Sequence, residues 1–571
     1  MEKLIGGALE AKKISVSGAE FIASYISSWG IDHVFFVDAI LRETLVELEK
    51  HGTRRILAHS EKAAAYMADG YARASGKPGV CMAQSVGAAN LASGLQDAYL
   101  NRTPVIAMTG RKNAIYQQRN AYQELPHASM YGAVTKFHGD VGTIEQLPYL
   151  LPQAFREAMR GTSRPTHLDF DGYRGADLES ARLTLAEDVY RQFLDHAEPA
   201  ALEAPDADVA KAAALIAAAE RPMLVLGVGA GGPGIGDAVR SFADTLSIPV
   251  ATSVGGHSLI ETSHPKHFGV LGTYSAPYAN EVLYEADLVI YAGCHVGDQI
   301  TCDWSNPRIG TRIIQIDVDP AELGRNYPNT LGLAGTPACV LEQLTAAAGP
   351  CPERTAWLRR CADALRHWRE GASRLTTSTA MPIRAERLAA ELSECLPRDA
   401  MVVADTGFSA TWTAQFTAFR SPGQTYLRAA GSLGWAFPAA IGAKLAVPNR
   451  PVVCFTGDGA LYYHLAELET MRRWNIPLVV VVNNNSALGQ GLRSVKKLYM
   501  GRQGHLGDLA LFSNTDFARL AKVFGLRGAR VERPEDIIAT IKAAIASGGP
   551  FLVDVVTDAD CNPGPPWMPA P

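Results

Sequence analysis

Short runs of β-branched and aromatic residues alternate with amphipathic stretches of helical period through almost the whole chain. Parallel strands joined by helices write that pattern, so it predicts an α/β fold built from βαβ units. In the first third, strands are expected at 33–37, 79–83, 104–108 and 166–170, with Glu61 near the start of the helix between the first two. In the middle third, a strand at 222–228 runs into a glycine-rich turn, Gly229 to Gly236, and strands follow at 287–292 and 312–317. In the last third, strands are expected at 401–404, 451–456, 477–482 and 551–556. The alternation breaks twice. Residues 171–205 are rich in acidic residues and alanine, and residues 350–382 run from a proline-flanked Cys351 through a polar helix. Reading both as linkers leaves three doubly wound domains with parallel sheets, at 14–180, 205–350 and 381–560. All three are expected to share one architecture.

Composition narrows the functional classes. At 571 residues the chain is too long for one core, and 47% hydrophobic with 19% charged residues is a globular balance. The net charge of −5, without a basic run, excludes an electrostatic nucleic-acid footprint. The longest apolar runs, such as 478–482, fall far short of the ~20 residues that span a bilayer. No signal-peptide core opens the chain, so a cytoplasmic protein without a membrane partner is expected. Nine cysteines, without a CxxC pair, fit a reducing compartment rather than a disulfide framework or zinc site.

The strongest chemical signal lies in the last domain. An apolar strand, PVVCFT, ends in Gly457-Asp458-Gly459-Ala460, and a second, IPLVVVV, ends in Asn483-Asn484-Asn485. Asp458 and Asn485 are 27 residues apart (485 − 458), one βαβ unit. Each therefore sits at the carboxyl end of a parallel strand, where open α/β sheets bind ligands. A carboxylate and an amide oxygen suit Mg²⁺, which takes one or two protein groups and leaves room for phosphate oxygens. Gly457 and Gly459 let the backbone approach closely, and the helix after Ala460 adds its N-terminal dipole. A lone Gly-Asp-Gly is a plain turn; the spacing and the two strands give it weight.

The arrangement resembles the fingerprint of thiamine-diphosphate-dependent enzymes, and the resemblance runs over roughly residues 14–556. It is nearest the acetohydroxyacid synthase-like branch, which includes pyruvate oxidase, oxalyl-CoA decarboxylase and 2-hydroxyacyl-CoA lyase. It implies a pyrimidine-binding first domain, a nucleotide-binding-like central domain and a diphosphate-binding last domain. Asp458, Asn485 and the Ala487 carbonyl would hold Mg²⁺. In Gly431-Ser432-Leu433-Gly434, Leu433 would bend the cofactor and the Gly431 carbonyl would accept from its aminopyrimidine. Near Gly407, Phe408-Ser409 stands in another cofactor-binding segment where Gln-His is usual. His59 to Arg73 resembles the segment with the activating glutamate, so Glu61 would hydrogen-bond the pyrimidine N1′ and favour its imino tautomer. Tyr122-Gln123-Glu124 stands where acetohydroxyacid synthases carry Phe-Gln-Glu, which makes Gln123 a candidate contact to substrate. Ile316 to Pro320 matches a strand end that approaches FAD or ADP in some members, whereas the Gly229 to Gly236 turn fits a nucleotide or a plain connection equally. In this family Glu61 and Asp458 come from different chains, so a homodimer or homotetramer with interfacial active sites is implied.

Departures from the family bear on the substrate. Gln299 stands where acetohydroxyacid synthases carry an arginine for the acceptor carboxylate, and a neutral amide cannot supply a bidentate charged contact. Ser494 replaces an expected tryptophan, and Asp38 stands in an opening loop without its usual Pro-Gly, near substrate or as a helix cap. A lid is expected from 486 to about 511, where Arg493, Lys496, Lys497, Arg502 and His505 either form a solvated face or draw in an anionic small molecule. The proline-rich tail is expected to be irregular. Three functions follow: cleavage or ligation of a carbon–carbon bond in a small 2-oxo acid or related carbonyl compound; a 2-hydroxyacyl-CoA lyase or oxalyl-CoA decarboxylase-like enzyme; or a catalytically silent homologue. Intact Glu61, Asp458 and Asn485 speak against the last.

Overall fold

The computed structural model describes residues 12–172, 175–196, 201–349, 351, 353–500 and 502–569. The chain divides into two compact units, Met1–Pro199 with Ile441–Val447, and Ala200–Ala440 with Pro448–Pro571.

The first unit opens on β1 (Lys13–Ser17). Its main sheet is built from β2 (His33–Phe36), β3 (Arg54–Leu57), β4 (Gly79–Gln84), β5 (Val105–Gly110), β6 (Phe137–Val141) and β7 (Thr166–Phe170). These are all parallel, in the order β3-β2-β4-β5-β7-β6. The next strand, β8 (Arg182–Ala186), pairs antiparallel with β1. The second unit carries two more parallel six-stranded sheets. One contains β9 (Pro222–Leu226), β10 (Val250–Thr252), β11 (His267–Val270), β12 (Leu288–Ala292), β13 (Arg312–Asp317) and β14 (Thr330–Ala334), in the order β11-β10-β9-β12-β13-β14. The other contains β15 (Met401–Ala404), β16 (Thr425–Arg428), β17 (Val452–Gly457), β18 (Leu478–Asn484), β19 (Arg527–Val531) and β20 (Phe551–Val556), in the order β16-β15-β17-β18-β20-β19. Three parallel-sheet α/β layers confirm the expected fold class.

The first and last sheets share one strand order, and the middle sheet has another. In the outer two, the chain turns back between the first and third strands, β2 and β4 or β15 and β17. In the middle sheet it turns back between β9 and β12. The expectation of one common architecture therefore holds, and the middle sheet realises it with its own strand order.

Burial explains which strands the pattern reveals. β18 is buried along its whole length and β17 along all but its last residue, as covered central strands must be. Edge strands β3, β6, β16 and β19 are only partly buried and carry arginine, histidine or aspartate. The two presumed linkers are more ordered than their composition suggests. The first contains a short helix (Ala176–Ser180), β8 and a helix (Glu187–Leu194). The second is mostly one 22-residue helix, Thr355–Thr376. Its buried start is anchored: Arg354 donates to the carbonyls of Ile216, Ala219 and Leu246, and the Trp357 indole donates to Pro222.

Candidate active site

The carboxyl ends of β17 and β18 bring together the residues the sequence singled out. Asp458 is the first residue of a short helix, Asp458–Leu461, which continues as a 3₁₀ turn before the helix Glu467–Arg473. The Ala487 N–H donates to Asp458 Oδ2 at 3.1 Å and to Asn485 Oδ1 at 3.1 Å, so the two side-chain oxygens converge on one amide. Desolvation pushes the Asp458 carboxyl up to about 7; the Gly459 and Ala487 amides only partly offset it. A side chain at Gly459 would meet Leu488 Cδ2 at 2.8 Å and Phe512 Cε2 at 2.9 Å, which accounts for that glycine. At Gly457 the nearest neighbour is the Ser409 hydroxyl at 3.7 Å, so Gly457 leaves an approach open.

These residues line a cavity of about 520 Å³. Gly431, Leu433, Gly457, Asp458, Gly459, Ala460, Asn485, Ala487 and Ser409 all border it, as do Tyr274 and Gln299 from the middle sheet's layer. The Leu433 turn is held by Asp405, a residue that sequence reasoning missed. Asp405 follows β15 and accepts from the amides of Gly434 at 3.0 Å and Ala436 at 3.2 Å, and from the Thr456 hydroxyl at 3.3 Å. Its burial is complete, and desolvation raises its carboxyl to about 6 despite those donors. A lone aspartate after an apolar strand, in MVVAD, was the only available signal.

The expected lid contains a helix, Gly489–Leu498, whose Gln490, Gly491 and Ser494 face the cavity, and a short one, Gly507–Ala510. Two of its cations are engaged by the C-terminal tail. Arg493 donates to the Gly564 carbonyl at 3.1 Å, and Lys496 pairs with Asp560. Further along, Trp567 packs on Tyr284 with ring centroids 5.4 Å apart. The tail thus runs along the outside of the lid helix.

In the first unit, Glu61 is the first residue of the helix Glu61–Ser75, capped by Ser60, which accepts from the Ala63 amide at 3.1 Å. Half-buried Glu61 accepts from Asn90 Nδ2 at 3.2 Å, and a side chain at Gly87 would lie 2.5 Å from its Oε1. Both neighbours belong to the helix Ser85–Leu100 that starts at the end of β4. Gln123 lines a second cavity of about 720 Å³, together with Arg111, Glu124, His127 and Asp169. The Gln84 amide donates to Gln123 Oε1 at 2.5 Å. Asp38 pairs at 2.5 Å with exposed Arg42, the first residue of the helix Arg42–Lys50.

In the middle sheet, the start of the glycine-rich turn packs against the chain itself. The Gly229 amide donates to the Gly293 carbonyl at 2.9 Å, and a side chain at Gly227 would lie 2.1 Å from that same oxygen. Close backbone approach accounts for these two glycines, whereas a side chain at Gly232 or Gly234 would meet nothing within 4 Å.

Comparison with known proteins places this geometry. Models of the thiamine pyrophosphate enzymes match in chain order: the N-terminal TPP binding domain over residues 16–130, the central domain over 209–344 and the C-terminal TPP binding domain over 405–555. The probable acetolactate synthase large subunit of Methanocaldococcus jannaschii is 31% identical over 95% of this chain and 92% of its own length. The chain belongs to the thiamine pyrophosphate enzyme family. The large subunits of acetolactate synthase isozymes 2 and 1 of Escherichia coli are each 30% identical, over 95% of this chain and 96% and 94% of their own lengths. This is a thiamine-diphosphate-dependent, acetolactate synthase-like enzyme of carbon–carbon bond cleavage and ligation. Among the described residues, no helix is long and apolar enough to cross a membrane.

Proposed function

We propose that the enzyme cleaves a small 2-oxo acid or related carbonyl compound and passes the retained fragment to a carbonyl acceptor. The observation that carries this reading is the convergence of Asp458 Oδ2 and Asn485 Oδ1 on the Ala487 amide, at the rim of a cavity wide enough for an organic cofactor. Mg²⁺ fits there. Its oxygen preference matches the donor set, and it would supply positive charge to a carboxylate whose burial now favours the neutral acid. Asp458, Asn485 and the Ala487 carbonyl would hold it against the cofactor's diphosphate. Leu433 would shape the cofactor's fold, and Glu61 would hold a proton at the pyrimidine N1′. When bound, thiamine diphosphate supplies a nucleophilic carbon that adds to a carbonyl and accepts the electron pair of the broken bond.

The acceptor follows from the cavity wall. Gln299, Gln490 and Tyr274 border the site and offer neutral hydrogen-bonding groups. An aldehyde or ketone without a carboxylate beside its carbonyl suits them. Gln299→Arg would then raise kcat/KM for a 2-oxo acid acceptor about tenfold, the scale of one charged hydrogen bond. The acyl-CoA reading gains no support from the middle layer's basic residues: Arg325 pairs with Glu322 at 3.0 Å, and Arg308 stacks over Tyr284.

Calorimetry with thiamine diphosphate and Mg²⁺ tests the cofactor assignment. Saturable binding that vanishes in Asp458→Ala supports it, and no binding by the wild type sinks it. We further propose a shared active site, with Glu61 and Asp458 contributed by two copies of the chain. Mixing inactive Glu61→Gln and Asp458→Ala proteins through reversible unfolding should restore about a quarter of wild-type activity, from the one intact site of each mixed dimer. No recovery would place both residues in one chain.

A further inference from the structure

The turn after β4 has a conformation its own residues do not secure. Ser85 has φ 36°, in the left-handed region that favours glycine. Its hydroxyl is buried without a hydrogen-bond partner, and Gln84, at the N-cap position of the following helix, makes no side-chain cap. Yet this helix start sets the positions of Gly87 and Asn90 against Glu61.

His127 supplies the missing hold. It is buried, and its Nε2 lies 3.0 Å from the Ser85 carbonyl oxygen. A carbonyl only accepts, so Nε2 carries a hydrogen. On the other side, Nδ1 lies 3.0 Å and 3.1 Å from the two oxygens of Asp169. Asp169 also accepts from the Thr109 hydroxyl at 2.7 Å, and Arg111 Nε stands 3.9 Å from it. The Thr109 hydrogen is thereby committed, so His167 Nε2, 2.6 Å from Thr109, must donate to it. Burial keeps His167 neutral, and its Nδ1 accepts from His138 at 2.9 Å. Every donor in the chain points toward Asp169, which is the acceptor that ends it. The groups that face His127 are Asp169 and His167 from β7 and Arg111 from the loop after β5, with Lys112 and Glu124 in the same cavity wall.

We propose that His127 is a positioning residue: bonded to the Ser85 carbonyl through one ring nitrogen and to Asp169 through the other, it ties the Ser85 turn to Asp169 and so fixes the backbone that holds Glu61. The proposal rests on the assignment of Glu61 to cofactor activation, and its tests separate the two. In ¹⁵N-histidine-labelled protein without cofactor, Nε2 of His127 should carry hydrogen; a ring with its hydrogen on Nδ1 alone overturns the proposal. Amide exchange across 85–90 should speed up at least about tenfold in His127→Leu and less in His127→Gln, which keeps one donor. Exchange unchanged in both variants also overturns it. In the loaded enzyme, His127→Leu should lower kcat about tenfold or more while KM moves less than about threefold, with partial rescue in His127→Gln. Should wild-type protein bind no thiamine diphosphate, the role of Glu61 falls, while the ring tautomer and exchange still decide the tether.

Discussion

Two sheets of this chain share a strand order and open at the same place, and the two openings are filled by different chemistry. Beyond β2 and β4, the turn at Ser85 is held by side chains: His127, Asp169 and, around Glu61, Asn90. Beyond β15 and β17, the turns are held by backbone amides that converge on two buried carboxylates, Asp405 and Asp458. A topological switch point supplies only a crevice. Side chains that share hydrogens fit a place where a proton is held at a ring nitrogen. Amides and glycines fit a place where fixed negative charge must be gripped at close range.

That contrast is open to attack, the largest effect first. Asp458→Ala should weaken thiamine diphosphate binding in the presence of Mg²⁺ by more than about 100-fold, beyond the loss typical of a mere supporting residue. Binding within threefold of wild type would remove the contrast altogether. Asp405→Asn keeps one acceptor oxygen of two, leaves a buried amide of Gly434 or Ala436 unpaired, and should cost about 1–3 kcal/mol in denaturant unfolding. A matched glycine pair sharpens the comparison. Gly87→Ala presses on the Glu61 carboxylate and should lower kcat about tenfold with cofactor affinity unchanged; Gly459→Ala presses on Leu488 and Phe512 and should weaken cofactor affinity instead. The reverse pattern would exchange the roles of the two openings.

A smaller effect concerns pH. The Asp458 carboxyl sits at about 7 in the folded protein without metal, against ~3.9 in an unfolded chain. Between those values the folded state binds more protons, so stability without metal falls as pH rises from about 4 to 7. Asp405, raised to about 6, adds a slope of the same sign in the lower part of that window. Asp458→Asn should flatten the slope and raise Tm at pH 8 by roughly 3 °C in metal-free buffer. Thermal unfolding across pH checks it, and an unchanged slope would mean that another group dominates.

The legible and illegible parts of the molecule divide along physical lines. Central strands such as β17 and β18 are covered on both faces, so their apolar runs announced them. β3 and β19 are edge strands with arginines at exposed positions, and nothing in RRIL or RGARV separates them from turns. The metal cradle was readable because its chemistry is contiguous: Gly-Asp-Gly at one strand end, Asn-Asn-Asn at the next. His127 was not readable, since its two partners, Ser85 and Asp169, each lie 42 residues away along the chain. Only the order of strands β4, β5 and β7 brings them together. The tail was left open for a similar reason, because proline-rich sequence specifies no partner of its own.

The contacts of Gly564, Asp560 and Trp567 have a practical side. The first two lie on the helix whose Gln490, Gly491 and Ser494 border the cavity, and the third holds the tail against Tyr284. A purification handle fused to the carboxyl terminus, or a protease that trims the chain past Cys561, would therefore disturb the cavity wall at a distance. Preparations that differ only in such a handle would report different Michaelis constants for the same enzyme.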